Sequence, residues 1–276
     1  MGRKRLTQLL PWLIPIRKKQ RVLCFYLKMR FDGNRYAKSK QKKLLPYPLF
    51  ETNSPLYHTE TGFDMVYQEN KVHNLKLAAL RLDRLIIKPG ETFSFWQIAK
   101  HADRFTPYKA GLTIHNGTMK AIPGGGMCQM SNLLYWMFLH SPLTIIERHG
   151  HGIKYFPEPV SNAPTGVDAT ITEGWLDLKV RNNTDETFQI EISFDSGHII
   201  GRLYTDRKTT ISYEIINQEP LYYKKETKVF EKVDVIQNIL SKITGQCVMS
   251  KVLYTNQCEI KYKLPKEAES KIGEWI

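Results

Sequence analysis

The run PGGGMCQMSNLLYWMFL, residues 123–139, decides how the rest of the chain is read. Pro123 and three glycines permit a steep turn and a close backbone approach. From Met127 to Leu139 the chain is apolar and long enough for a helix, and Ser141-Pro142 ends it because proline cannot continue one. Upstream, Val72, Leu75, Ala78, Ala79, Leu82, Leu85 and Ile86 recur at helical spacing, and Lys88-Pro89-Gly90 stops that run. Phe93 to Trp96 reads as a short strand or a buried aromatic loop. Residues 111–122 read as a hairpin, because Asn116-Gly117 suits a tight primed turn.

Downstream the period changes. Thr144 to Glu147 and Leu176 to Val180 read as strands. Phe188–Phe194 and His198–Tyr204 alternate around Asp195-Ser196-Gly197, a second hairpin, and Thr209–Ile216 and Val248–Tyr262 add further strands. The pattern predicts an α+β fold: helices packed against a mainly antiparallel β-sheet in one main domain. Trp96, Trp136 and Trp175 are assigned to its core.

Of 276 residues, 42% are hydrophobic, which supports a packed core and excludes a wholly disordered chain. The net charge of +13 is not spread evenly. Residues 1–43 hold 14 Lys or Arg against a single acid, Asp32, while the rest of the chain is neutral. We therefore divide the chain into a basic N-terminal extension (1–43), a connection with three prolines (44–62), a central domain (63–205) and a β-rich C-terminal extension on the same body (206–276). Arg3-Lys4-Arg5 and Arg17-Lys18-Lys19 flank the apolar stretch from Leu9 to Ile16, which is too short and too proline-rich to span a bilayer. The extension is expected either to meet an acidic membrane surface or to be a loose solvated arm. Nucleic acid is disfavoured, because no recognisable nucleic-acid module follows. With no export signal read in the sequence, the expected location is cytoplasmic, peripheral on the inner membrane face.

Cys128 falls in the first turn of its helix, where unpaired amides and the helix dipole favour a thiolate. Those amides, with the side chain of Gln129, are candidate donors to an oxyanion, and Gly124, Gly125 and Gly126 would let a ligand approach. Some twenty residues on, Glu147-Arg148-His149-Gly150-His151 supplies bases. If that segment is extended, His149 and His151 share a face and Arg148 takes the other. Either imidazole is a candidate base for the thiol, and Arg148 suits a bidentate carboxylate. Asp168 sits in a glycine turn, able to orient a histidine or to cap its own turn. The competing reading makes Cys128 a small buried hydrophobe and the histidines loop-binding groups. A Cys/His/His metal site lacks an identifiable fourth ligand, and the glycine loop lacks the Gly-Lys-Ser/Thr ending of a nucleotide cradle, so neither metal nor cofactor is expected. The four cysteines hold no Cys-x-x-Cys pair and are expected as free thiols.

Five ordered motifs carry a resemblance. These are Lys88-Pro89-Gly90-Glu91-Thr92-Phe93-Ser94-Phe95, Gly124 to Ser131, Glu147 to His151, Asp168-Ala169-Thr170, and Lys179-Val180-Arg181-Asn182-Asn183-Thr184. Together they resemble the VanW family. The resemblance implies an accessory role in glycopeptide resistance, on peptidoglycan or its precursors. Some family members look like cysteine L,D-transpeptidases. On that pattern Cys128 would be the nucleophile, His149 or His151 the base, and Arg148 an anchor for a substrate carboxylate or phosphate. The implied partner is a peptidoglycan precursor or stem peptide. The alternative role is a non-catalytic module that binds a precursor or a partner at the inner membrane surface. Two departures stand out: Ser131-Asn132-Leu133 replaces part of a Ser/Thr-rich pattern, and Val167 stands where an arginine is common.

Overall fold

The computed structural model describes residues 10–57, 63–115, 118–154, 163–264, 269 and 272–274. The expected turn at Asn116-Gly117 and the cluster Arg3-Lys4-Arg5 lie outside them. The helices are α1 (Ile14–Phe31), α2 (Met65–Leu82), α3 (Phe95–Ala99) and α4 (Cys128–Leu139). The fold is α+β, with several mainly antiparallel sheets rather than one.

Helix α4 is the centre. Met130, Leu134, Met137 and Phe138 are fully buried, so its apolar run excludes water on nearly every side. It rests on β11 (His198–Thr205), which runs between β2 (Tyr47–Pro55) and β10 (Phe188–Phe194) in a sheet closed by β3 (Ile86–Ile87). The contact is tight at Gly201: a Cβ there would lie 2.4 Å from Met137 Sδ and 3.1 Å from Leu133 Cδ2. A second sheet joins β1 (Arg35–Tyr36), β4 (Glu91–Ser94), β9 (Lys179–Arg181) and β7 (Thr144–Glu147). Phe93 on β4 meets Phe138 of α4 at 5.0 Å between ring centroids. Strands β5 (Ala110–His115) and β6 (Thr118–Pro123) form the expected hairpin.

The third sheet is built mostly from the C-terminal region. It pairs β8 (Ile153–Lys154) with β15 (Cys247–Ile260), then β14 (Lys228–Ser241), β13 (Leu221–Lys225) and β16 (Gly273–Glu274), with β12 (Ile211–Asn217) also on β14. Strand β14 buries Glu231, Val233, Val235 and Gln237 in alternation. Two polar residues among four inward positions hide its period from a hydropathy reading. Each is satisfied: Lys154 Nζ donates to Glu231 at 2.5 Å, and Gln237 Nε2 donates to the Leu139 carbonyl at 2.6 Å, closing the end of α4.

Four expectations need correction. Leu85 and Ile86 do not continue α2: the helix stops at Leu82, Arg84 turns with φ of 65°, and Ile86 pairs with Gln189 in a sheet. Residues 47–55, read as part of a connection, form an edge strand, where Pro48 and Pro55 cost little because one side of the ladder is open. The strand expected from Leu176 begins only at Lys179, because Leu176 bridges back to Thr172. Trp175 is exposed rather than core, stacked under the Arg21 guanidinium at 4.2 Å.

The Lys179–Thr184 motif has a structural cause. Asn182 is fully buried; its Nδ2 donates to the carbonyls of Ile87 and Glu186, and its Oδ1 accepts from the Thr184 amide and hydroxyl. Asn182→Ala strands those buried groups, each costing about 1–3 kcal/mol. Thermal melting should show the variant several degrees less stable, while Asn183→Ala, at an exposed neighbour, should melt like the parent.

Candidate active site

Cys128 is the first residue of α4 and is partly exposed. Glycine geometry brings the chain to it. A Cβ at Gly125 would lie 2.0 Å from the Gly111 carbonyl oxygen, so the loop lies directly on β5. Gly126 has φ of +88°, and a Cβ there would lie 2.2 Å from Lys71 Cγ. These glycines have a packing reason at the site's edge. The expected row of free amides is shorter than anticipated. The amides of Gln129 and Met130 already donate to the carbonyls of Gly126 and Met127, whereas that of Cys128 is not so engaged. Gln129 is also turned away: its Nε2 donates to Ser54 Oγ at 2.9 Å and to the Pro55 carbonyl at 2.6 Å.

The start of α4 grips the Asp168 turn. Asn132 Oδ1 accepts the Ala169 amide at 2.8 Å, and Ser131 Oγ donates to the Ala169 carbonyl. These contacts help aim Asp168 at the His-containing segment. Asp168 Oδ2 accepts the His151 amide at 2.7 Å and is bonded to Nδ1 of the His151 ring. The Cys128 thiol lies near enough to the His151 ring to act on its charge. Cys128, His151 and Asp168 are thus neighbours, with the acid bonded to the ring.

Burial opposes a charged imidazole, but the Asp168 carboxylate and Cys128 outweigh it and push His151 up to about 10. Burial also opposes a charged Asp168, yet His151, Arg148 and the His151 amide hold its carboxyl below the usual range.

Strand β7 ends at Glu147 and β8 begins at Ile153, so residues 148–152 lie outside any strand, and the two histidine rings take different partners. His149 Nε2 pairs with Glu147 at 3.1 Å, and Glu147 also takes Lys179 at 2.8 Å. Arg148 points to the same carboxylate as His151. Its Nη2 reaches Asp168 Oδ1 at 2.5 Å, the Gly166 carbonyl at 3.0 Å and Asn256 Oδ1 at 3.2 Å, and its Nε reaches the Asp168 carbonyl. The guanidinium lies 4.3 Å from the centre of the Tyr254 ring. Its Nε and Nη2 donors are engaged inside the protein, and through them it holds Asp168.

Two features were missed by sequence reasoning. Tyr254 and Asn256, on β15, back the site from outside the motifs. Lys71 of α2 is the other. Its stem packs on Gly126, burial pushes its ammonium down to about 8, and it has no ion pair or hydrogen bond among the described residues. A Gly-rich loop packed on a lysine is a recognisable composition but not a readable contact. Among the described residues, the buried polar atoms without a partner are Gln68 Oε1, Tyr108 Oη, Gln129 Oε1 and Thr170 Oγ1. Gln68 is one turn from Lys71, Tyr108 lies on Gly124, Gln129 follows Cys128, and Thr170 follows the Asp168 turn.

The charged pair has a pH signature. His151 stabilises the fold fully below pH 6.5, and that contribution is lost as pH rises through about 10. Melting temperature should therefore decline over that alkaline range, and Asp168→Asn should flatten the decline. An unchanged slope in the variant would remove the charged pair.

Comparison with known proteins gives two relatives. The chain is 54% identical to the vancomycin B-type resistance protein VanW of Enterococcus faecalis (strain ATCC 700802 / V583), over 98% of both chains. It is 29% identical to the uncharacterized protein YoaR of Bacillus subtilis (strain 168), over 57% of this chain and 50% of that one. No solved structure matches. The family description "VanW like protein" matches residues 70–204, a span that holds Lys71, Cys128, His151 and Asp168. With all five expected motifs inside that span, the chain belongs to the VanW family.

Proposed function

We propose that the chain serves vancomycin resistance as a cysteine acyl-transfer enzyme on the stem peptide of peptidoglycan or its precursors. The observation that carries this is the series Cys128–His151–Asp168, the nucleophile, base and orienting acid of a thiol acyl transferase. The name of the enterococcal relative supports the setting.

In this mechanism Nδ1 of His151 is committed to Asp168, and Nε2 already holds the proton that the Cys128 thiol has given up, so the resting pair is thiolate and imidazolium. The thiolate attacks a peptide carbonyl, and the resulting oxyanion takes the Cys128 amide. The carbon–nitrogen bond then breaks as the imidazolium returns its proton to the leaving amine. A second amine or water attacks the thioester, gives its proton to His151 and frees the thiolate. Asp168 stabilises the imidazolium throughout, and Arg148 holds Asp168 in place without touching substrate. Lys71, a desolvated cation with no counter-charge among the described residues, is the substrate's anion anchor.

Thiol labelling tests the centre. Near pH 6, Cys128 should alkylate faster than the exposed Cys24 and Cys247, and Asp168→Asn should slow it. Equal rates at the three would reject the charged nucleophile. Cys128→Ala should abolish turnover of a stem-peptide substrate without lowering the melting temperature. Full resistance in cells carrying Cys128→Ala would favour a non-catalytic holding role. Lys71→Met should raise KM for a carboxylate-bearing substrate by about 10- to 100-fold, with kcat little changed. An unchanged KM would remove Lys71 from the site.

A further inference from the structure

The basic extension, expected either to meet an acidic membrane surface or to be a loose arm, contains an 18-residue helix with two different faces. One face is docked. Val22 sits against Gly174, where a Cβ would lie 2.9 Å from Val22 Cγ2. Tyr26 Oη donates to Glu173 at 2.7 Å and lies 3.2 Å from the Trp96 carbonyl oxygen, and Lys100 covers its ring at 3.9 Å. Met29 is buried. The positions 22, 26 and 29 are one helical stripe.

The other face is bare and apolar. Ile16, Leu23, Leu27 and Phe31 recur at i, i+7, i+11 and i+15, with Trp12 in the turn that leads in. They are 57%, 60%, 46%, 80% and 65% exposed, in that order. Exposed apolar side chains scattered singly need no explanation, but four aligned along one helix behind an exposed tryptophan do. Lys19 and Arg30 flank the stripe on one side, Arg17 and Lys28 on the other. No Asp or Glu occurs from Leu10 to Phe31.

We propose that α1 lies in the headgroup layer of an anionic phospholipid bilayer and anchors the protein there. The apolar stripe enters the acyl boundary, Trp12 sits at the interface, and the flanking cations reach lipid phosphates with their stems along the helix. No helix among the described residues is long and apolar enough to cross a membrane, which leaves α1 lying in the plane. Charge selects this occupant over a second copy of the chain, because two copies would bring two rows of cations together. The proposal does not depend on the chemistry at Cys128.

The test is flotation of the full-length protein with vesicles of phosphatidylcholine alone or mixed with phosphatidylglycerol. Binding should require the anionic lipid and weaken as salt rises. Arg17→Glu/Lys19→Glu should reduce partitioning by on the order of 30-fold or more. Leu23→Glu/Leu27→Glu should remove binding at low salt while far-ultraviolet circular dichroism and melting stay as in the parent, since both side chains are exposed. Equal flotation with neutral and anionic vesicles, or retained binding by the leucine variant, would overturn the proposal. So would a concentration-dependent dimer in sedimentation that the same leucine variant dissolves, because the stripe would then be a self-association face.

Discussion

Asp168 carries the site's electrostatics on one side chain. Its Oδ1 holds the Arg148 guanidinium, and its Oδ2 holds the amide and ring of His151. A carboxylate buried this far is costly unless its lone pairs are filled, and here cations and an amide fill them. The same arrangement fixes which nitrogen of His151 faces outward and keeps the imidazole charged. Remove the carboxylate and Arg148 becomes a buried cation with only neutral acceptors, while His151 loses its orientation.

The carboxylate is aimed by packing. Ser131 and Asn132 on α4 grip the Ala169 peptide, and α4 is itself seated on Gly201 of β11. Behind Arg148 stand Tyr254 and Asn256 of β15, a strand outside the span that matches the family description. The C-terminal region is therefore part of how the site is held. It also seats β8, which fixes the chain just beyond His151.

Much of this was legible from residue types and little of it from spacing. Glycines before a cysteine at a helix start, a His-rich segment and an acid in a glycine turn were sufficient to name Cys128, His151 and Asp168. Which of His149 and His151 lies beside Cys128 was not readable, because it depends on how the chain runs between Glu147 and Ile153. Arg148 was assigned to the face opposite the histidines and in fact shares the Asp168 carboxylate with His151. Strand β14 was missed because Glu231 and Gln237 occupy inward positions, and their partners are remote in sequence. Lys71 was missed for a related reason: its meaning lies in a contact with Gly126, 55 positions away. In the N-terminal extension the charge was plain, but the division of α1 into a docked face and a bare one required the body it docks against.

The seat of the docked face of α1 and the Asp168 carboxylate belong to one short stretch of chain. Asp168 opens it, and Glu173 and Gly174, which seat Tyr26 and Val22, close it. Between them Thr170 is tied to the His149 carbonyl, and Thr172 bridges Leu176, so the stretch has little freedom to flex. A helix resting on lipid would therefore hold the site at a set height and tilt relative to the headgroups. A substrate carried on a lipid would then meet Cys128 in a restricted set of orientations, and ordering the reactants in this way lowers the entropic part of the barrier.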